Sequence, residues 1–509
     1  MENEKIVYEK YLKARKNRED NNFLNELDEA YKYCCPRRYN KSLKTGDEVF
    51  DSTAIHAINA RVASNHDALF PAFREWIHEE PVGKTIDNDQ TSVAKQIKNR
   101  KDKAHKALEL SNFHIEIEDV LTDALFSDGA LLCFTGTPEN PLRFKSVCWD
   151  CFYTLNDYED MPRNNFCTRK LTGKNIAYLW PKADKTKFDA NDDIKILDVV
   201  DCYTYDNTAK ENKYTYSVFV GDKAVYQAEE KSSPWVVFSQ KRRASQASGW
   251  GMVLDSMSDI KTLNHVHKDL LKCADINLSG VWQAEDDGVI NFDNLSLTPG
   301  TVIPIAPGSK GLTPLMTHVD LNLGQYIMSD LKDNIKKSVQ GSALPDFSQG
   351  VRTASEYQMR EAEMNKTEIP IMLQLAQASK ILVERIFEIL ESPAMMTSDM
   401  YCKPVTDSKG KIVKTSFVSP LIRMKDKAQV NEDIRVMAQA AQIFGQPAYD
   451  VIDRDEVIKD FYLKNNFNPE RLRDEDEIKQ ARANDRKNDI ELAQAGVQPQ
   501  KANPGNVSL

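Results

Sequence analysis

Cys148 and Cys151 form a C-x-x-C, and His265 and His267 form an H-x-H, two patterns whose residue types could hold a metal ion. A zinc site needs further ligands, and no second C-x-x-C or downstream H-x-H stands at a suitable spacing. The histidines also fall within a helical apolar recurrence, where residues two apart point away from each other. The remaining cysteines are scattered apart from the adjacent Cys34 and Cys35, and they read as reduced thiols. Lys241-Arg242-Arg243 could meet a phosphate, but its place ahead of Gly249 reads as a solvated turn. Asp474-Glu475-Asp476-Glu477 suits the N-terminus of a helix better than a catalytic carboxylate pair. There is no GxxxxGK[ST] and no GxSxG, so neither nucleotide hydrolysis by a P-loop nor an esterase elbow has support. The expectation is a protein with no catalytic residue, no bound cofactor and no metal.

The 509 residues leave room for about two to four domains, each with its own core. With 41% hydrophobic and 28% charged residues the composition is that of a globular protein. No apolar run reaches the roughly 18 residues of a membrane span, and MENEKIVYEK lacks an apolar signal core, so neither export nor membrane insertion is expected. The net charge of -10 is opposite to that of a tight, sequence-independent DNA binder, which relies on Lys and Arg displacing phosphate counterions. Acidity does not exclude DNA, because a channel that lets DNA slide should hold the backbone weakly.

Helical spacing is expected over residues 1–35, with Val7, Tyr11, Leu12, Phe23, Leu24, Leu27 and Tyr31 as the apolar positions. Asp51-Ser52-Thr53 should cap a second helix whose apolar face is Ile55, Ile58, Val62 and Leu69, ending before Pro71. A third helical stretch covers 93–126 and breaks near Ser111-Asn112. From about 130 to 240 the pattern turns to short β-branched and aromatic runs such as LLCF, YTYSVFV and WVVF, a β-rich insert. Gly249-Trp250-Gly251 then breaks the chain before a helix of about 26 residues, roughly 39 Å long, over 252–277. Short strands and turns occupy 278–320, a helix follows over about 323–340, and SALPDFSQGVRTAS reads as a loop. A very long helix over 355–391 should kink at Pro370, and a hairpin over 400–418 should turn at Ser408-Lys409-Gly410. More helix is expected at 427–444, 453–464 and 474–494, before a polar disordered tail. The fold class is therefore α+β and helix-rich.

Three stretches carry a resemblance to a known family. Phe50 to Glu80, FDSTAIHAINARVASNHDALFPAFREWIHEE, joins an acidic-Ser-Thr cap to an amphipathic helix and a Pro-containing exit that leads to Trp76. GWGMVLDSMSDIKTLNHVHKDLL pairs a glycine-aromatic-glycine turn with Asp259, Ile260, Lys261, Leu263 and Asn264. Val418-Ser419-Pro420-Leu421 is followed by the helical AQVNEDIRVMAQAAQIFGQPAYDVIDRDEV. In this order, over residues 20–480, the chain resembles the portal, or head-to-tail connector, of short-tailed, podovirus-type bacteriophages. Met252 stands where that family often carries an arginine, which puts any contact of that arginine in doubt.

The resemblance implies a portal fold and a ring, typically of twelve subunits, at one capsid vertex, built from wing, stem, clip and crown regions. It would divide the chain into a wing to 251, a first stem helix 252–277, a clip 278–322 and a second stem helix 323–340. A tunnel loop 341–354, a kinked wing helix 355–392, a hairpin and connection 393–426, a helical crown 427–492 and a disordered tail 493–509 would follow. Implied partners are further copies of the chain, double-stranded DNA in the channel, the large terminase, a tail adaptor, and the major capsid and scaffolding proteins, with no membrane. The protein would reside in the virion after assembly in the host cytoplasm. Lys332, Lys336 and Lys337, near the end of the second stem helix, and Arg352 in the loop are the candidates for DNA contact. Solvated surface charge is the competing reading for each. The rival class is a helical scaffold or adaptor protein that does not bind DNA, with an enzyme third.

Overall fold

Apolar spacing in the first hundred residues produces helices that bury one stripe each. α1 spans Glu4–Asp20, α2 Phe23–Cys34, α3 Thr53–Leu69, α4 Gln90–Glu109 and α5 Phe113–Ala124. In the computed structural model the described residues are 4–20, 23–36, 38, 49–72, 75–82, 90–159, 161–206, 214–243, 246–279, 282–284, 312–314, 321–341, 354–407, 409–417, 433–440, 442–443, 457–458, 461–462, 478 and 480. The single helix expected over 1–35 is two helices, with Asn21-Asn22, residue types that favour turns, between them. α3 begins at the expected Asp51-Ser52-Thr53. Ser52 makes no side-chain capping bond, and Asp51 Oδ1 accepts from the Thr53 N–H at 2.8 Å instead.

After the short strand β1 (Glu79–Pro81), the β insert is built as two antiparallel sheets. β2 (Asp128–Thr135) is flanked by β3 (Leu142–Val147) and β9 (Trp235–Ser239). β4 (Phe152–Leu155), β5 (Asn164–Thr172), β6 (Ile196–Tyr205), β7 (Tyr214–Val220) and β8 (Lys223–Glu230) form a five-stranded meander, with α6 (Gly173–Leu179) between β5 and β6. Side chains alternate across a strand, so neighbours serve opposite faces. Val200 and Phe219 pack with Val7, Tyr11 and Ala14 of α1, whereas Val199 and Val218 pack with Ile176, Trp180 and Phe188. The meander is thereby covered on both faces.

After the glycine-tryptophan-glycine turn come α7 (Met252–Asp255) and α8 (Met257–Ser279). The one helix expected here is interrupted at Ser256, whose hydroxyl bonds both the Met252 carbonyl and the Ser338 hydroxyl instead of leaving the ladder unbroken. α9 (Leu321–Ile335) returns antiparallel to α8, with Gly324 against Leu270 at one level and Ser338 opposite Ser256 at another. The last five residues of the expected second stem helix, Lys336–Gln340, form a π-helical turn. Of residues 278–322, expected to form a clip, the paired strands Trp282–Ala284 and Leu312–Pro314 and the first residues of α9 are described.

α10 (Ala354–Leu390) runs through Pro370, and from Ile371 onward it buries two positions per turn, among them Leu375, Leu382, Val383, Ile386 and Phe387. That stripe joins Tyr31, Ile58, Phe113, Phe126, Leu131 and Phe238 in one core. Each such side chain contributes about 2 kcal/mol through burial. Beyond a 3-10 turn at Pro393–Met395, the hairpin expected over 400–418 closes at Gly410, with Thr406 opposite Ile412. Its outgoing strand, Thr415–Phe417, pairs with Glu79–Pro81 from the first part of the chain. Of residues 427–492, expected to form a crown, 433–440 are helical; residues 493–509, expected to be a tail, lie outside the described residues.

Candidate functional site

The base of the α8–α9 pair brings together charges far apart in sequence. Asn264 of α8, whose carboxamide is nearly buried, accepts at Oδ1 from the backbone N–H of Phe50 at 2.7 Å and that of Asp51 at 3.3 Å. This fixes Asp51 so that its Oδ2 meets Lys332 Nζ of α9 at 3.1 Å and lies 3.3 Å from His267 Nδ1 of α8. Burial alone would raise the Asp51 carboxyl, yet hydrogen bonds from Thr53 and Lys332 hold it below the ordinary carboxylate value. Asp51, with 6% of its side chain exposed, thus staples the entry to α3 onto both α8 and α9.

One turn beyond Lys332, Ile335 and Val339 are fully buried, and Lys336 and Lys337 between them face solvent. Neither lysine has an ion-pair partner among the described residues. The turn ends at Gln340, whose carbonyl accepts from Arg61 Nη1 at 3.2 Å. Arg61 sits in the middle of α3 and is only 1% exposed. Gly341 follows with φ 82° and ψ 179°, a backbone region essentially restricted to glycine.

The four candidate DNA contacts therefore separate. Lys332 is committed to Asp51, Lys336 and Lys337 are exposed, and Arg352 lies outside the described residues. The sequence reading missed Arg61, Asp51 as a hub, and the pairing of Ser256 with Ser338. Asn264, quoted in the helical motif, was a signal that could have pointed to the hub. A polar amide on an otherwise apolar helix face needs a partner when buried.

The other chemistry-bearing patterns have structural places. His265 pairs with Asp269 one turn along its own helix, so it diverges from His267. Lys241 pairs with Asp255 at 2.8 Å, Arg242 reaches the Ser239 hydroxyl at 3.2 Å, and Arg243 lies over the Trp250 ring at 4.7 Å. Trp250 Nε1 donates to Asp255 Oδ1 at 2.6 Å, which completes the junction between the β insert and α7. The triplet expected to be a solvated turn is thus held by partners. Cys148 and Cys151 flank a turn in which the Cys151 N–H donates to the Cys148 carbonyl at 3.0 Å, and burial pushes both thiols up to about 12. Among the described residues no three His, Cys, Asp or Glu side chains gather as a metal site, and no helix is long and apolar enough to cross a membrane.

The family model described as bacteriophage head to tail connecting protein matches residues 8–470, most of the chain. No curated protein matches it.

Proposed function

The chain belongs to the bacteriophage head to tail connecting protein family, and from that premise we propose that it is a portal, whose copies close a dodecameric ring at one vertex of the head. DNA would enter and leave through the ring, which also serves as the docking platform for the large terminase during packaging and for a tail adaptor afterwards. The major capsid and scaffolding proteins would meet its outer surface as the virion assembles in the host cytoplasm. A short-tailed, podovirus-type phage is the proposed source.

One observation beyond the family supports this reading. The α8–α9 pair leaves the core with Ile260 and Leu263 buried at its base, but Leu271, Tyr326 and Ile327 farther along are exposed, Tyr326 at 73%. A protruding helix pair with apolar side chains on its flanks calls for cover, and identical neighbours packed head to tail around a closed ring would supply it. In that arrangement residues to 251 serve as the wing, α7, α8 and α9 with its π turn as the stem, and 278–322 as the clip. The segment 341–354 is the tunnel loop, 355–392 the wing helix and 427–492 the crown.

Lys336, Lys337 and Arg352 are the proposed DNA-facing charges, with Lys332 holding the stem base. Isolated basic rings in a chain of net charge -10 steady a moving phosphate backbone without gripping it. No catalytic role is proposed for the chain, and the ATP chemistry of packaging belongs to the terminase.

Negative-stain imaging and mass measurement of the purified protein test the reading. Annular particles of about a dozen copies are expected. A monomer or dimer would overturn the portal reading in favour of a helical scaffold or adaptor.

A further inference from the structure

We propose that Arg61 is the positioning residue for the DNA-facing end of the second stem helix. It sets the direction in which the chain leaves Gln340, and with it the stance of Lys336 and Lys337. The proposal rests on the portal reading and deepens it.

The last carbonyls of any helix lack partners within the helix and carry a partial negative charge. At the end of the π turn, the Gln340 carbonyl is taken by a guanidinium that is itself almost wholly buried. Arg61 Nη1 donates to this carbonyl at 3.2 Å, and the bond ties the turn to the middle of α3. The planar guanidinium also constrains the angle of approach more than an ammonium would.

Two other ties hold the same turn. Ser338 and Ser256 hydroxyls bond at 2.6 Å, and Ile335 and Val339 are fully buried. The chain is thus held from α3, from the start of α8 and from the core up to Gln340, and then meets Gly341 at φ 82°. A firm support up to one residue, followed by glycine in a conformation other residues avoid, defines an exit direction. Lys336 and Lys337 lie on the held side of that point, so a shift at Arg61 moves both charges together.

The test compares full-length Arg61→Met and Arg61→Lys with the wild type by ring imaging, amide hydrogen exchange and in vitro DNA packaging. In Arg61→Met, rings are expected to form, exchange over residues 338–341 to rise about tenfold, and exchange over 128–135 to stay unchanged. Packaging is expected to fall about tenfold, and Arg61→Lys, which keeps one donor within reach of the carbonyl, to restore part of both losses. Exchange that rises equally over 128–135 would overturn the proposal by making Arg61 a general core residue. So would a loosened turn with wild-type packaging.

Should Arg61→Met fail to fold, Gly341→Ala approaches the same exit from the other side and leaves Arg61 intact. Rings with reduced packaging are expected, and unchanged packaging overturns the proposal. A wild-type chain that forms no ring sinks the portal reading instead, and the exchange comparison still decides whether Arg61 holds the turn.

Discussion

Gly251 presses against the backbone of Leu125 so closely that a Cβ at this position would stand 1.9 Å from the Leu125 carbonyl oxygen. The Gly251 N–H donates to the Phe126 carbonyl at 3.0 Å and the Val253 N–H to the Leu125 carbonyl at 3.1 Å, so the approach is fixed from both sides. The second glycine of the turn is there to let the stem start on the end of α5.

Gly251→Ala should therefore destabilise the protein by about 3 kcal/mol, because the atom it meets is backbone and cannot rotate away. Thermal or denaturant unfolding of the variant measures this. A loss below about 0.5 kcal/mol, the range of a neutral surface change, would refute the close-approach argument.

The two kinds of lysine at the stem base should respond differently. Lys332→Met removes the cation from a carboxylate that is nearly buried and is expected to cost about 2 kcal/mol. Lys336→Ala and Lys337→Ala should change stability by less than about 0.5 kcal/mol. Equal losses at all three positions, read from urea midpoints, would contradict the separation seen in the structure.

For DNA handling the order reverses. Lys336→Glu with Lys337→Glu, and separately Arg352→Ala, should leave ring formation intact and lower packaging or retention of DNA. Packaging at the wild-type level across all these variants would remove these residues from the channel.

Acid should weaken the protein through His105. Burial, with Lys101 adding to it, lowers this imidazole to about 4, and its Nε2 accepts the Ile77 N–H at 3.3 Å, which requires the neutral ring. The folded value lies below the unfolded one near 6.5, so the unfolded chain binds the proton first and stability falls as pH drops from about 6.5 towards 4. A chevron or melting series over that window should show a loss on the order of 2 kcal/mol that His105→Gln largely abolishes. An identical acid slope in the variant would assign the effect elsewhere.

Much of the architecture was legible in the chain. Ile58, Val62 and Leu69 recur on one face of α3 and are buried, and the β insert, the turn at 249–251 and the helices α8 and α9 stand where apolar period and glycine placement put them. The breaks in those elements were less legible. Ser256 divides α7 from α8 while its hydroxyl meets Ser338, and the π turn at 336–340 lies within a stretch whose spacing reads as ordinary helix. Arg61 stands between Ala60 and Val62, and nothing nearby marks its contact with a carbonyl 279 positions away.

By itself the sequence determined which stretches become helix or strand and which faces they bury, because those depend on apolar residues recurring at the period of the backbone itself. Only the tertiary structure decided what each charge does. Lys332 and Lys336 are the same residue type one turn apart, yet one neutralises a nearly buried Asp51 and the other faces solvent. The cost of a charge is set by the partners and the water around it, and those arrive from parts of the chain that local pattern does not connect.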